Sequence, residues 1–137
     1  MQLHVRRARI EEIRALADEY RQEQIGELDV AADVSLPQGG VFWIAENDAG
    51  TPVGYAAAAL GPSGCTVGPI YTRPQARRHG VGRALIEAIQ AWAIDTRVPI
   101  VEISVAAPNH VGRAFLESLG YQPRRIVMSL TPAVLDD

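Results

Sequence analysis

Arg77-Arg78-His79-Gly80-Val81-Gly82-Arg83 is the stretch of this chain whose residue types are best suited to chemistry. Arginines and a histidine gather positive charge there, and Gly80 and Gly82 let a ligand approach the backbone without meeting a Cβ. An apolar β-type run (Thr66, Val67, Ile70, Tyr71, Thr72) precedes it and stops at Arg73-Pro74, and a helical pattern opens at about Gly82. Strand, short glycine loop and helix N-terminus together form an anion site, because first-turn N–H groups lack intrahelical acceptors and the helix dipole adds partial positive charge. The ligand expected is a phosphate or pyrophosphate. The segment lacks the Gly-Lys-Ser/Thr ending of a P-loop, and after Arg83-Ala84 it has Leu85 where a dinucleotide fingerprint needs its third glycine.

Arg77-Arg78-His79-Gly80-Val81-Gly82 resembles motif A of the GNAT superfamily of acyl-CoA-dependent N-acyltransferases, Gln/Arg-x-x-Gly-x-Gly/Ala. Downstream, the stretch from Asn109 to Tyr121 resembles motif B of the same family, Asn-x-x-Ala-x-x-Phe/Leu-Tyr-x-x-x-Gly-Phe. Asn109, Phe115, Gly120 and Tyr121 fit, and Gly112 replaces the usual alanine. The resemblance extends from about Val41 to Leu130, while the N-terminal helices match only in general plan. It implies a cofactor, acetyl-CoA or another acyl-CoA, held by Ile70, Tyr71 and Thr72 along the pantetheine arm. Arg77, Arg78, His79, Gly80, Val81, Gly82 and Arg83 would surround the pyrophosphate, with Asn109 also among the cofactor-binding residues. It further implies direct transfer to a primary amine, on a small molecule or peptide, within a ternary complex. Many relatives form dimers.

One position departs from the family pattern. The motif B tyrosine, which in many relatives protonates the departing CoA thiolate, corresponds to Leu116, and a leucine cannot donate a proton. A thiol pKa is only ~8.5, so the thiolate can leave unaided; otherwise Tyr121 or Tyr71 could serve as donor. The acceptor ammonium, with a pKa near ~10.4, must also lose a proton. No Asp or Glu lies between Thr66 and Thr72, where some relatives place the base. Glu102 on the following strand is the first candidate and Glu46 the second, each against the alternative of a plain sheet-surface carboxylate, and a water chain to either would serve. A backbone N–H around Ile70 to Thr72 could stabilise the oxyanion. The missing tyrosine also leaves open a non-catalytic module that holds acyl-CoA as a regulatory ligand.

The elements that must position these residues follow from periodicity. Leu3 to Arg6 alternates as a strand, and Ile10, Ile13, Leu16, Ala17 and Tyr20 recur as one face of a helix ending before Gly26. Glu19, Glu23, Glu27, Asp29 and Asp33 form an acidic segment where the family builds part of its acceptor site, although a solvated helix face is the default reading. Val41 to Glu46 and Val53 to Leu60 read as a hairpin about Asn47-Asp48-Ala49-Gly50, though four consecutive alanines also suit a helix. Gly68-Pro69 implies a bulge or an edge in the strand that follows. A helix through Leu85, Ile89, Trp92 and Ala93, a strand over Ile100 to Val105, a helix N-capped by Asn109 and stopped at Gly120, and a last strand over Tyr121 to Leu130 complete the order. Thr131 to Asp137 reads as a loose tail. The expected fold is α/β: a mixed sheet in the GNAT-like order β-α-(α)-β-β-β-α-β-α-β, with a splayed central strand.

At 137 residues the chain is expected to be one domain. A net charge of −3 gives no global argument for nucleic acid, and the apolar stretch Tyr55 to Leu60 is far too short for a membrane span. Met1 to Arg9 lacks the apolar core of a signal peptide, so a soluble cytoplasmic location is expected. The single cysteine, Cys65, has no histidine placed beside it by motif and reads as a small core residue, and Trp43 reads as sheet core. His4, His79 and His110 show no metal-ligand spacing, so no metal is expected.

Overall fold

A computed structural model describes residues 2–25, 35–105 and 107–132. The chain divides into two compact units, Met1–Ser104 and Val105–Asp137. In the first unit the order is β1 (His4–Ala8), α1 (Ile10–Ile25), β2 (Val41–Glu46), β3 (Pro52–Gly61), β4 (Gly64–Thr72), a 3₁₀ turn (Pro74–Ala76), α2 (Val81–Asp95) and β5 (Val101–Ile103). The strands form one sheet in sequence order, antiparallel from β1 to β4, with β5 added parallel to β4.

The alanine run resolves as strand, and its composition explains the layers. Ala56, Ala57 and Ala58 in β3 are fully buried, so both helices can lie close to the sheet. On one face Ile13, Leu16 and Ala17 of α1 pack with Phe42, Ile44, Tyr55 and Tyr71. On the other, Val81, Leu85 and Ile89 of α2 pack with Trp43, Ala45, Val53, Cys65 and Val67. Trp43 and Cys65 are core residues, as expected, and Trp43 meets Trp92 edge-on at 5.3 Å. Burial pushes the Cys65 thiol pKa up, which suits packing rather than nucleophilic work.

The expected irregularity in β4 is present. Val67 pairs with Ala58 and Ile70 with Ala56, so Gly68 and Pro69 together oppose Ala57 in a bulge. The parallel ladder to β5 spans only Cys65 to Val67 against Val101 to Ile103, whereas β4 continues to Thr72. Past the bulge, β4 has left β5. This is the splayed central strand.

In the second unit α3 spans His110–Ser118. Asn109 caps it, its side-chain oxygen accepting from Gly112 N at 2.9 Å, and Gly120 takes a φ of +96° just past its end. A Cβ on residue 112 would come within 2.6 Å of the Asn109 side chain, so an alanine there would have to shift this cap.

The sequence expectation fails over Tyr121 to Leu130, which carries no strand. Ile126, Val127 and Met128 are each 87% exposed and Leu130 is 70% exposed, so neither face of the segment is buried. β-branched composition expresses fitness for a pleated, half-buried surface, and by itself it does not supply a partner strand. The expected strand over Ile100 to Val105 is also shorter, three residues rather than six. The acidic residues Glu27, Asp29 and Asp33 and the tail from residue 133 onward lie outside the described residues. Among the described residues no helix is long and apolar enough to cross a membrane, and no cluster suits a metal ion.

Candidate functional site

The site begins where β4 ends. Arg73 N donates to Val53 O at 2.8 Å, which fixes the alternation of the β3–β4 ladder at this point. By that alternation Tyr71 faces its N–H and C=O toward β3, while those of Ile70 and Thr72 point away from it. With β5 gone past the bulge, β4 offers an open backbone edge, as an extended amide-bearing ligand would need.

After the 3₁₀ turn the chain enters α2 through a strained passage. Arg78 has φ 67° and Gly80 φ 80°, both left-handed, and a non-glycine residue there costs of order 1–3 kcal/mol. Alternation of this kind aims successive N–H groups into one concavity. The first helical bond of α2 runs from Ala84 N to Gly80 O at 2.9 Å. Among the described residues the N–H groups of Arg78, His79, Gly80, Val81, Gly82 and Arg83 have no acceptor. Cβ atoms at Gly80 or Gly82 would meet nothing within 4 Å, so the backbone of this turn is open to close approach at both glycines.

Gly54 sets the depth of this nest. A Cβ there would lie 2.6 Å from Tyr71 O and 2.8 Å from Val81 Cγ1. Only glycine lets the first turn of α2 rest on β3 at the rung beside Thr72.

The cations divide into two groups. Arg83 pairs with Glu87 at 2.9 Å along α2, and Arg77 Nη2 pairs with Glu23 of α1 at 2.5 Å. Arg77 Nε also donates to Thr72 O at 3.1 Å, and its guanidinium lies 6.0 Å from the Tyr71 ring centre. Arg78 and His79 are exposed, without an ion pair among the described residues. Of the side chains expected around the pyrophosphate, these two remain available, and the backbone supplies most of the donors.

α1 meets the same end of β4. Tyr20 stacks on Tyr71 with ring centres 4.8 Å apart, and Glu19 pairs with Arg73 at 2.9 Å. The Tyr71 pKa is raised, mainly by burial and then by its hydrogen bond to Glu23. Glu19 and Glu23 are thus neither a bare solvated face nor an open acidic funnel for an amine, because each already holds an arginine. Sequence reasoning missed this clamp, although Glu19, Tyr20 and Glu23 at i, i+1 and i+4 were a legible cluster.

The candidate proton acceptors fall elsewhere. Glu46 ends β2, with β3 between it and β4, and accepts from Arg6 Nε at 3.0 Å. Glu102 stands opposite Thr66, before the bulge, whereas the loop follows Thr72. Asn109 is engaged in its own helix cap, and Tyr121 N closes the end of α3 on Leu116 O at 3.1 Å. Leu116 is buried.

The family model described as Acetyltransferase (GNAT) family matches residues 7–121. The chain belongs to the GNAT acetyltransferase family. Its fold is that of solved members. The aminoglycoside N-acetyltransferase AAC(6')-Iy, in complex with the bisubstrate analogue CoA-S-monomethyl-acetylneamine, superposes with a TM-score of 0.70 at 18% identity, covering 96% of this chain and 99% of that one. An acetyltransferase of Trypanosoma brucei gives 0.68 at 18% identity, covering 95% and 99%. A GNAT acetyltransferase of Staphylococcus aureus gives 0.68 at 14%, covering 90% and 87%. No curated protein sequence matches the chain.

Proposed function

We propose that this GNAT protein binds acetyl-CoA at the β4–α2 loop and transfers the acetyl group to a primary amine by direct attack in a ternary complex. The observation that carries the reading is the row of N–H groups from Arg78 to Arg83 that have no acceptor among the described residues, beside an open β4 edge. Such a nest at a helix N-terminus complements a pyrophosphate. The outward N–H and C=O of Ile70 and the outward N–H of Thr72 suit the amides of a pantetheine arm, laid along β4 where a longer β5 would otherwise pair.

Bound acetyl-CoA supplies an acyl group already activated as a thioester. The amine lone pair attacks its carbonyl carbon, a C–N bond forms, the C–S bond breaks, and the amine proton passes to solvent or a base. The protein's part is to hold the two reactants in line and to offer an outward β4 N–H, from Ile70 or Thr72, to the developing oxyanion. Leu116 leaves no donor at the family's tyrosine position, so the sulfur departs as thiolate, which its pKa of ~8.5 tolerates. Glu102 and Glu46 remain the candidate proton acceptors, reached through water.

Leu116 also favours a second reading, a regulatory module that binds acyl-CoA without turnover. Release of free thiol from acetyl-CoA, measured across a panel of primary amines that includes aminoglycosides, polyamines and peptide N-termini, separates the two. Amine-dependent thiol release with an acetylated product supports transfer. Binding of acetyl-CoA with no release above the solvent rate for any amine supports the module.

A further inference from the structure

We propose that Glu23 on α1 is a positioning residue for acyl-CoA, acting through Arg77 on the strained turn that opens the N–H nest. The inference rests on the reading of the β4–α2 loop as the acyl-CoA site. Arg77 is the last residue before the left-handed Arg78, and three contacts pin it: Thr72 O at 3.1 Å, Glu23 at 2.5 Å and the Tyr71 ring at 6.0 Å. A left-handed arginine persists only where its surroundings over-determine the backbone. Arg77 bridges the end of β4 to a helix 54 residues earlier and so holds the entrance of that turn. Without the carboxylate's charge, the guanidinium keeps the Thr72 carbonyl and the Tyr71 ring it lies over, and the residues after it can relax toward ordinary φ. The N–H groups of Arg78 to Arg83 would then no longer converge before a ligand arrives, and binding would have to supply that ordering.

A second ion pair provides an internal control. Glu19 holds Arg73 at 2.9 Å, also from α1 and also 54 residues apart, but Arg73 precedes the 3₁₀ turn and its other contact is Pro52 O at 2.8 Å on β3. That pair ties sheet to helix and does not touch the strained turn. Both pairs are partly exposed, so losing either leaves the fold intact.

Calorimetric titration of CoA into wild type, E19Q, E23Q, R78G and E23Q/R78G tests the proposal. Glycine adopts the left-handed turn without strain, so an anchor whose role is to hold that turn becomes dispensable in the R78G background. E23Q is expected to weaken CoA about fivefold in the wild-type background, and by less than about twofold in R78G, a coupling typical of residues acting on one element. E19Q stays within about twofold of wild type. Unchanged affinity in E23Q, or the same loss in both backgrounds, overturns the positioning role while leaving the acyl-CoA site standing. Wild type that binds no CoA overturns both.

Discussion

Gly54 of β3 and Val81 at the start of α2 stand so close that a methyl group on Gly54 would come within 2.8 Å of Val81 Cγ1. The same methyl would press on Tyr71 O at 2.6 Å, so neither the helix nor the strand can give way alone. This contact sets the height of the N–H nest above the sheet.

Gly54→Ala therefore forces α2 off β3. Overpacking of this kind costs ~1–3 kcal/mol, and a loss of about 2 kcal/mol is expected in urea denaturation. CoA affinity falls with it, because the displaced first turn carries the donors. An alanine variant as stable as wild type would show that the first turn is not seated by this contact.

Tyr55 yields a prediction of opposite sign. It is 0% exposed, and its hydroxyl has no hydrogen-bond partner among the described residues. Burial drives its pKa upward, as it does for Tyr71. For a group whose folded pKa is raised, stability is fully present below the unfolded value, ~10 for tyrosine, and is lost as pH rises through the folded value. Tyr55→Phe should be about 1 kcal/mol more stable near neutral pH, since it removes an unsatisfied buried hydroxyl, and should lose less stability above pH ~10. A Phe variant clearly less stable than wild type at pH 7 would mean that the hydroxyl has a partner, such as an ordered water.

Glu12 contributes to acid stability. Its pKa is lowered, first by the hydrogen bond from Arg6 and then by the one from Arg9 N at 2.7 Å. A depressed carboxylate contributes stability above its unfolded pKa of ~4.3, and that contribution disappears as pH falls through the folded value. Melting temperatures measured from pH 7 down to pH 3 should fall more steeply in wild type than in Glu12→Gln below pH ~4.3. Parallel curves would exclude this role.

Much of this architecture was legible because each local pattern agreed with its neighbours. The bulge followed from Gly68-Pro69, the α3 cap from Asn109, and the anion loop from glycines between strand and helix. What stayed hidden was long-range. Nothing local to Glu23 names Arg77 as its partner, and nothing local to Arg78 shows that it adopts a left-handed turn. The run Ile126-Val127-Met128 misled for the converse reason: strand-forming residues state a preference, and only pairing realises it. Residue type on the expected strands points to Glu102 and Glu46 as bases, but only register shows that Glu102 lies before the bulge and Glu46 across β3 from the loop.

The most direct measurement is thermal melting with acetyl-CoA, CoA, ATP and NAD, on wild type and on Gly82→Trp. A Cβ at residue 82 meets nothing within 4 Å, so the variant should fold as wild type while its indole adds bulk beside the loop. Stabilisation of wild type by the two CoA species and not by ATP or NAD, abolished in the variant, is the predicted result. An absence of any shift with CoA species, or an undiminished shift in Gly82→Trp, would contradict an acyl-CoA site at this loop.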